Sequence, residues 1–199
     1  SDVYKRQDGD SAWNAQHQVL ENGYGLLGDP SSTESAIIVP FPGRDSLYYI
    51  FTVDKEGFEN GLCYSVVNMN CNNGLGAIVE KNIQLATPVS EKLTAVKHKN
   101  NRDIWVVTHG WETDSFFVYI VTPDGLDTEP QIFEVGQRHS NIGLSGNNAI
   151  GYLRAAPTGT RLASALQVTG IFEVFDFDNE TGEISNPITI PDFGGAPYG

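Results

Sequence analysis

The strongest constraint in this sequence is a set of short apolar segments that return at a constant interval. Segments with the pattern of an inner β-strand begin at Ala36, Leu93 and Ile150, so 57 residues separate each from the next. Each is followed by a polar turn, two further apolar segments and a weaker fourth one. A repeat of this length built from four strands is typical of a β-propeller blade, which buries its faces against neighbouring blades. The sequence therefore predicts an all-β fold, a partial β-propeller.

The length of the chain limits the number of blades. The 199 residues accommodate about three and a half four-stranded units, whereas propellers close with about four to eight blades. We therefore expect a fragment of a larger ring. The predicted division is a non-native leader at 1–7, a remnant blade and link at 8–34, blades at 35–91, 92–148 and 149–195, and the start of a next blade at 196–199.

Strand composition and turn chemistry agree with this repeat. The predicted strands are rich in β-branched and aromatic residues, and turns such as Asn73-Gly74 and Asp124-Gly125 supply the positive φ that tight reversals need. No stretch has a 3.6-residue apolar period, so we expect no long helix. The expected strands are 36–39, 47–53, 64–69 and 81–86 in one blade, 93–96, 104–108, 116–121 and 131–135 in the next, and 150–155, 161–166, 171–177 and 187–190 in the last.

The charge of the chain argues against two classes of partner. The 25 acidic and 12 basic residues give a formal net charge of −13. Binding to nucleic acid or to an anionic membrane surface needs clustered Lys and Arg, which this balance does not supply. No apolar run approaches the roughly 18 residues of a membrane span. We therefore expect neither a nucleic-acid partner nor membrane insertion in this segment.

The two cysteines are expected to be free thiols. If the chain from Cys63 is extended, the eight residue steps to Cys71, at about 3.3 Å each, exceed the roughly 7 Å that a disulfide allows between Cα atoms. A bridge would require a sharp reversal at Asn70.

One turn resembles a known repeat. Residues 155–163 read Ala-Ala-Pro-Thr-Gly-Thr-Arg-Leu-Ala, which is similar to the Ser-Pro-Asp-Gly-x-x-Leu turn of WD40-like propellers. This copy departs from that pattern at Ala156 and Thr158.

A wider resemblance covers roughly residues 8–199. Several segments resemble the amino-terminal propeller of large secreted proteins of gliding bacteria, which continue into PKD-type modules and a type IX secretion sorting domain. The resemblance implies export and display at the cell surface, and it brings no catalytic residues. The matching segments are 25–33, 49–54, 91–98, 105–109 and 175–179.

The loop between the second and third strands of the blade at 92–148 is the predicted ligand-binding region. We place His109, Trp111, Glu112 and Asp114 there. In a propeller such loops surround one mouth of the central channel, together with the links into each inner strand. Trp111 could stack on a sugar ring or a peptide side chain; alternatively it packs over its own blade or the next. The equivalent loops are 55–61 and 167–170, and the links include 30–34 and 145–148.

Two metal hypotheses are incomplete. Asp176, Asp178 and Asn179 offer oxygen ligands close together, as calcium loops do. A calcium loop of the EF-hand kind would also need Asp at alternate positions, then a Gly and a distant Glu, and this sequence contains only part of that pattern. The pattern instead favours the end of a strand at which the Asp and Asn side chains form hydrogen bonds with the backbone of the turn. The four histidines lack the paired spacing of a zinc site. We expect no metal and no cofactor.

No catalytic motif is evident in the sequence. It has no Gly-x-Ser-x-Gly nucleophile elbow, no phosphate-binding glycine loop and no dinucleotide fingerprint. We therefore predict that the chain is not an enzyme but a secreted or cell-surface module for display or for binding an extracellular glycan or protein. One alternative is a carbohydrate- or peptide-binding propeller with its site at the channel mouth. Another is part of a propeller enzyme, a glycoside or peptide hydrolase, whose catalytic groups lie outside this chain.

Overall fold

The computed structural model describes residues 6–7, 9–141, 148–191 and 196–198. Within these ranges the chain forms sixteen β-strands and a single short 3₁₀ turn at Asn72–Gly74. The expectation of an all-β chain without a long helix is therefore confirmed for this part of the sequence. No helix in the described ranges is long and apolar enough to cross a membrane.

The amino-terminal strands form a three-stranded antiparallel meander that joins the first blade. The meander contains β1 (Arg6–Gln7), β2 (Ser11–Trp13) and β3 (Val19–Tyr24). The first blade is an antiparallel meander, and its outermost strand lies beside β3, with which it pairs in parallel at one position. Its strands are β4 (Ala36–Pro40), β5 (Leu47–Val53), β6 (Leu62–Asn68) and β7 (Ala77–Ala86).

Two further antiparallel blades follow. The second blade has strand order β11-β10-β9-β8, with β12 also paired to β10, and the third has the order β13-β14-β15-β16. The second blade comprises β8 (Val89–Lys97), β9 (Ile104–Gly110), β10 (Thr113–Thr122), β11 (Gly125–Leu126) and β12 (Gln131–His139). The third comprises β13 (Leu153–Ala155), β14 (Arg161–Leu166), β15 (Ile171–Phe177) and β16 (Ile184–Ile190).

Apolar residues fill the spaces between successive sheets. One cluster, which includes Phe51 and Tyr119, packs between the first and second blades. Another, which includes Trp105 and Phe175, packs between the second and third blades. The inner strands β4, β8 and β13 contact one another in sequence, so they line a central channel as in a propeller. The predicted all-β partial propeller is confirmed.

The predicted strands coincide with the observed ones at 47–53, 161–166 and 171–177. The inner strand of the third blade is shorter than predicted, since it begins at Leu153 rather than Ile150, whereas β7, β8 and β12 are each at least four residues longer than predicted. Gly151 has φ of 116°, and its N–H donates to Thr33 Oγ1 over 3.1 Å instead of joining the strand ladder. A contact with a distant link therefore replaces the first part of this strand.

The division into a leader, a remnant and three units with boundaries at 35, 92 and 149 stays a prediction. Most of the predicted leader, residues 145–147 of one predicted link, and Gly199 lie outside the described residues.

Candidate functional site

The structure places His109 in a different setting from the predicted one. It lies in β9 rather than in a loop, since the ladder pairs it with Phe116 and continues to Gly110. The side chain is fully buried. The expectation that His109 is a loop residue is therefore wrong, because β9 and β10 extend until a reversal of two residues joins them.

The other residues of the predicted binding loop are partly engaged in packing. Trp111 covers Gly57 of the first blade so closely that a Cβ there would lie 2.3 Å from Trp111 Cδ1. Glu112 is exposed, and its Oε2 accepts a hydrogen bond of 3.0 Å from Arg138 Nη2. Asp114 is half-buried on β10. Trp111 thus packs over a neighbouring blade, and a ligand-binding role for this group stays a prediction.

The residues of the calcium hypothesis hold a turn and neighbouring strands. Asp178 Oδ1 accepts the backbone N–H groups of Glu180 at 2.8 Å and Thr181 at 3.4 Å, and the first of these bonds lowers the pKa of Asp178 most. Asp176 pairs with Arg161 at 3.2 Å. Asn179 presents its carbonyl to Trp105 Nε1 at 3.0 Å. The described ranges contain no group of three or more His, Cys, Asp or Glu side chains arranged for a metal ion.

Both cysteines are free thiols, as their separation predicts. Cys63 is buried on β6, and its thiol donates to the carbonyl of Asn60 over 3.3 Å. Burial raises the pKa of Cys63 to about 11, so this thiol stays protonated and unreactive at neutral pH. Cys71 is half-buried beside the 3₁₀ turn.

The inner strands present an exposed row of side chains to the central channel. Pro40, Ala95, Lys97 and Arg154 are exposed and lie on β4, β8 and β13. Two grooves run beside β8, with volumes of about 530 and 420 Å³, and Lys97 lines both. Both volumes lie in the range of small-molecule sites, about 300–1,000 Å³.

Arg154 is the centre of a polar cluster on this wall. Its guanidinium carbon lies 4.1 Å from the ring centroid of Tyr152, within the range of a cation–π contact. Its Nη1 lies 2.6 Å from Oε2 of Glu34, on the link that precedes β4. Burial raises the pKa of Glu34, and the charge of Arg154 opposes that rise. The cluster therefore joins the link of the first blade to the inner strand of the third.

A buried network positions the link that carries Glu34. Glu91, at the start of β8, is 2 % exposed. Its Oε2 accepts both the N–H and the hydroxyl of Thr33 at 2.7 Å, and its Oε1 accepts the N–H of Glu56 at 3.1 Å. Because Thr33 Oγ1 also accepts the N–H of Gly151, one carboxylate holds segments of three blades together.

Lys92 is a buried cation at the same end of β8. Its Nζ donates to the carbonyls of Asn148 and Ala149 at 3.0 Å and of Ile150 at 3.3 Å. Burial lowers the pKa of Lys92 to about 7, although Glu91 opposes the shift. Three carbonyl acceptors match the three N–H donors of an ammonium group, so they favour the charged form.

Two histidines stack beside Lys92. The rings of His109 and His139 are 3.4 Å apart between centroids, and both side chains are fully buried. His109 Nδ1 lies 2.7 Å from the carbonyl of Gly110, whereas the other three ring nitrogens have no partner in the described part of the chain. Burial lowers the pKa of His109 to about 3 and that of His139 well below its usual value, with the charge of Lys92 contributing to both.

Sequence reasoning missed most of this geometry. Lys92, Glu91 and His139 carry no motif, since their neighbours along the chain do not reveal the carbonyls and rings that surround them. The repeat offered one usable signal. Arg154 holds the inner-strand position that the exposed Ala95 holds in the preceding blade, because their ladder partners Ala163 and Val106 are 57 residues apart.

Comparisons with known proteins support the fold. No known protein family and no curated protein matches the sequence. The periplasmic gluconolactonase of Pseudomonas aeruginosa matches with a TM-score of 0.52 and 15% identity over 96% of this chain and 50% of its own. A luciferin-regenerating enzyme matches with a TM-score of 0.50 and 13% identity over 94% and 55%. A nutrient-binding protein from Bacteroides thetaiotaomicron matches at 0.47 and 12% over 90% and 36%.

This chain therefore spans about half the length of the first two of these structures. At such identities the similarity shows a shared propeller-like fold. It agrees with the propeller part of the sequence resemblance, whereas the association with PKD modules and type IX secretion stays a prediction.

The prediction that this chain is not an enzyme is wrong. The gluconolactonase and the luciferin-regenerating enzyme are named as enzymes, and both share this fold. The prediction depended on the lack of a contiguous catalytic motif. A propeller gathers channel residues from inner strands that lie far apart in the sequence, at 36–40, 89–97 and 153–155 here, so a short motif need not record its site.

Proposed function

We propose that this chain forms part of the wall of a propeller channel that binds a small sugar-class ligand, as the substrate-holding part of an enzyme. The observation that carries this proposal is the cluster of Glu34, Tyr152 and Arg154, which two blades contribute to the channel wall. A carboxylate and a guanidinium bind hydroxyl groups, and an aromatic ring offers an apolar face to a sugar.

Two further observations support the proposal. The grooves of about 530 and 420 Å³ beside β8 have the size of small-molecule sites, and the larger one reaches Ala155, next to Arg154 on β13, although Glu34, Tyr152 and Arg154 line neither groove. One structure of similar fold is named a gluconolactonase, which agrees with a sugar-class ligand.

We also propose that the protein is exported. The resemblance of residues 8–199 to secreted propellers supports export, as does the periplasmic location in the name of the gluconolactonase. Fractionation of the source cells tests this, and recovery of the protein only from the cytoplasmic fraction would contradict it.

Isothermal titration of the 199-residue chain with a panel of mono- and disaccharides tests ligand binding. We expect Tyr152→Ala to weaken the affinity about tenfold, because it removes the ring that orients Arg154. Trp111→Ala is the matched control, since Trp111 covers Gly57 rather than the channel cluster. Loss of binding in Trp111→Ala with normal binding in Tyr152→Ala would move the site to the predicted loop and refute the proposal.

The enzymatic part needs a separate measurement. Acid released from a sugar lactone can be followed in a pH-stat, with and without the protein. We expect release above the spontaneous rate, and lower release with Tyr152→Ala. Binding without any turnover across lactones and glycosides would contradict the enzymatic part while it left the binding part intact.

A further inference from the structure

We infer that the groove between the first and second blades is a separate binding site, for a small carboxylic acid with an apolar body, and that Lys97 binds the carboxylate. This inference goes beyond the proposed function, because none of Glu34, Tyr152 and Arg154 lines this groove. It can therefore fail while the sugar site stands, and the reverse also holds.

Two blades contribute the walls of this groove. Its volume is about 420 Å³, and eight residues line it, from the end of β4, the end of β8, the turn that follows and the start of β9. Five of the eight are apolar, namely Ile38, Val39, Pro40, Ala95 and Ile104. A concave surface lined mainly by apolar residues, with a few polar groups, is typical of small-molecule sites.

Part of this apolar surface is open to solvent. Pro40 and Ala95 are exposed, whereas Ile38 and Ile104 are half-buried. Transfer of apolar surface out of water stabilises a complex roughly in proportion to the area that is covered. The groove therefore favours a ligand whose body is aliphatic or aromatic.

Lys97 is the free cation of the groove. Its side chain is exposed at the end of β8, and its Nζ has neither an ion pair nor a hydrogen-bond partner among the described residues. The other cation, Arg102, donates from Nε and Nη2 to Asp103 at 2.8 and 3.4 Å. Because Asp103 also accepts a bond of 2.7 Å from Asn100 Nδ2, these two residues rather than Lys97 engage its carboxylate.

One unpaired cation fits a ligand with one negative charge. The chain has 25 acidic and 12 basic residues, so a doubly charged phosphate would meet general repulsion with a single lysine to offset it. A carboxylate carries one charge at neutral pH, and its oxygens accept the N–H donors of an ammonium group. The ligand class is therefore a monocarboxylic acid.

The larger groove on the other side of β8 differs in composition. Its volume is about 530 Å³, and six of its twelve lining residues are polar, against three of eight in the smaller groove. Lys97 lines both grooves, whereas Lys99 lines only the larger one and pairs with Glu180 at 2.7 Å. An apolar body therefore favours the smaller groove, and Lys99 provides a control for the larger one.

Amide-detected NMR titration of the 199-residue chain with 3-phenylpropionate, 3-phenylpropan-1-ol and acetate tests the inference. The alcohol keeps the apolar body and lacks the charge, whereas acetate keeps the carboxylate and lacks the apolar body. We expect 3-phenylpropionate to bind about tenfold or more tightly than either, and its affinity to fall between about 0.05 and 0.5 M salt. The shifted signals should belong to residues 38–40 and 101–104, at the groove.

Variants of the two lysines locate the carboxylate. We expect Lys97→Met to weaken the binding of 3-phenylpropionate about tenfold and to leave the affinity for the alcohol unchanged, because only the charge is removed. Lys97→Arg should retain the affinity for the acid. Lys99→Met is the matched control, since the same substitution two residues along the chain changes only the larger groove. Thermal unfolding of each variant verifies that the protein remains folded.

The outcomes are distinguishable. Equal affinities for the acid and the alcohol would refute the role of Lys97, and signals that shift only at 155–159 would overturn the assignment to the smaller groove. No binding of any probe, or an equal loss in Lys97→Met and Lys99→Met, would overturn the site itself. The titration with saccharides tests the proposed function separately, so failure of one leaves the other intact.

Discussion

At the scale of single residues, Lys92 shows how a charged group is held inside this protein. The side chain is fully buried, and three backbone carbonyls of the segment 148–150 accept its hydrogen bonds. A buried charge without such acceptors would cost several kcal/mol. The carbonyl of Ala149 also accepts the N–H of Glu91 at 3.2 Å, so both the amine and the backbone of β8 hold this segment.

Lys92→Met should lower the free energy of unfolding by about 2–4 kcal/mol, because it removes the three buried hydrogen bonds that the ammonium group donates to the carbonyls of 148–150. Urea unfolding followed by fluorescence measures this change. Lys99→Met is the control: its ammonium forms an exposed pair with Glu180, and we expect a change within about 0.5 kcal/mol. A similar effect in both variants would argue against the carbonyl cage.

The stacked histidines predict loss of stability in acid. Burial lowers the pKa of both His109 and His139 in the folded state, so the unfolded chain binds more protons below its own His pKa of about 6.5. Their contribution to stability is complete above that pH. It is lost as the pH falls toward about 3, the pKa of folded His109, by up to about 1.4 kcal/mol per pH unit for each histidine.

His139→Phe should reduce this pH dependence, since it removes one titrating ring and keeps an aromatic stack. Urea unfolding at a series of pH values between about 7 and 4 measures the slope. His17→Asn is the control, because His17 is exposed and has a positive φ that Asn tolerates. An unchanged slope in His139→Phe would show that carboxylates, rather than the histidine pair, govern acid stability.

At the scale of elements, loops of one blade pack against loops of the next. Trp111, in the β9–β10 reversal, lies over Gly57 in the β5–β6 loop. Glycine is required at this position for two separate reasons. Its φ is +77°, and the indole occupies the space where a Cβ would be. Glu91 adds a polar connection between the same two blades through the N–H of Glu56.

Gly57→Ala separates these two requirements when it is compared with Gly74→Ala. Both glycines have positive φ, but a Cβ at Gly74 would meet no atom within 4 Å. We expect Gly74→Ala to cost about 1 kcal/mol of stability from the backbone alone, and Gly57→Ala about 2–3 kcal/mol. A change in the emission of Trp111 should accompany only Gly57→Ala, and equal costs with unchanged emission would contradict the packing of the indole on Gly57.

At the scale of the whole molecule, the net charge of −13 acts on a fold whose blades meet through apolar interfaces. Self-repulsion among the excess carboxylates opposes the compact state. Most of the ion pairs in the described ranges have a partner that is more than half exposed, and such pairs contribute little to stability. Repulsion should therefore outweigh attraction in the response to salt.

We expect the midpoint of thermal unfolding to rise by a few degrees between about 0.02 and 0.5 M sodium chloride, because salt screens repulsion between exposed charges. Differential scanning calorimetry measures this shift. Potassium chloride is the control for a specific effect of sodium. A fall in the midpoint with both salts would show that ion pairs dominate.

The local sequence was sufficient to place most strands of this protein. The segments 47–53, 161–166 and 171–177 were predicted with the observed bounds, because alternating β-branched and aromatic residues between Gly- and Asn-containing turns determine strands over a few residues. The 57-residue repeat then determined the architecture, since such units bury their faces only by stacking.

Only the tertiary structure decided the environment of each polar residue. His109 was expected in a loop and lies buried against His139, and Glu34 meets Arg154, 120 residues further along the chain. The start of β13 likewise depends on Thr33, in a different blade. These contacts are made between blades, where charge, burial and hydrogen bonding depend on which distant segments meet. The sequence alone therefore determined the sheets, and the assembly of the sheets decided the site.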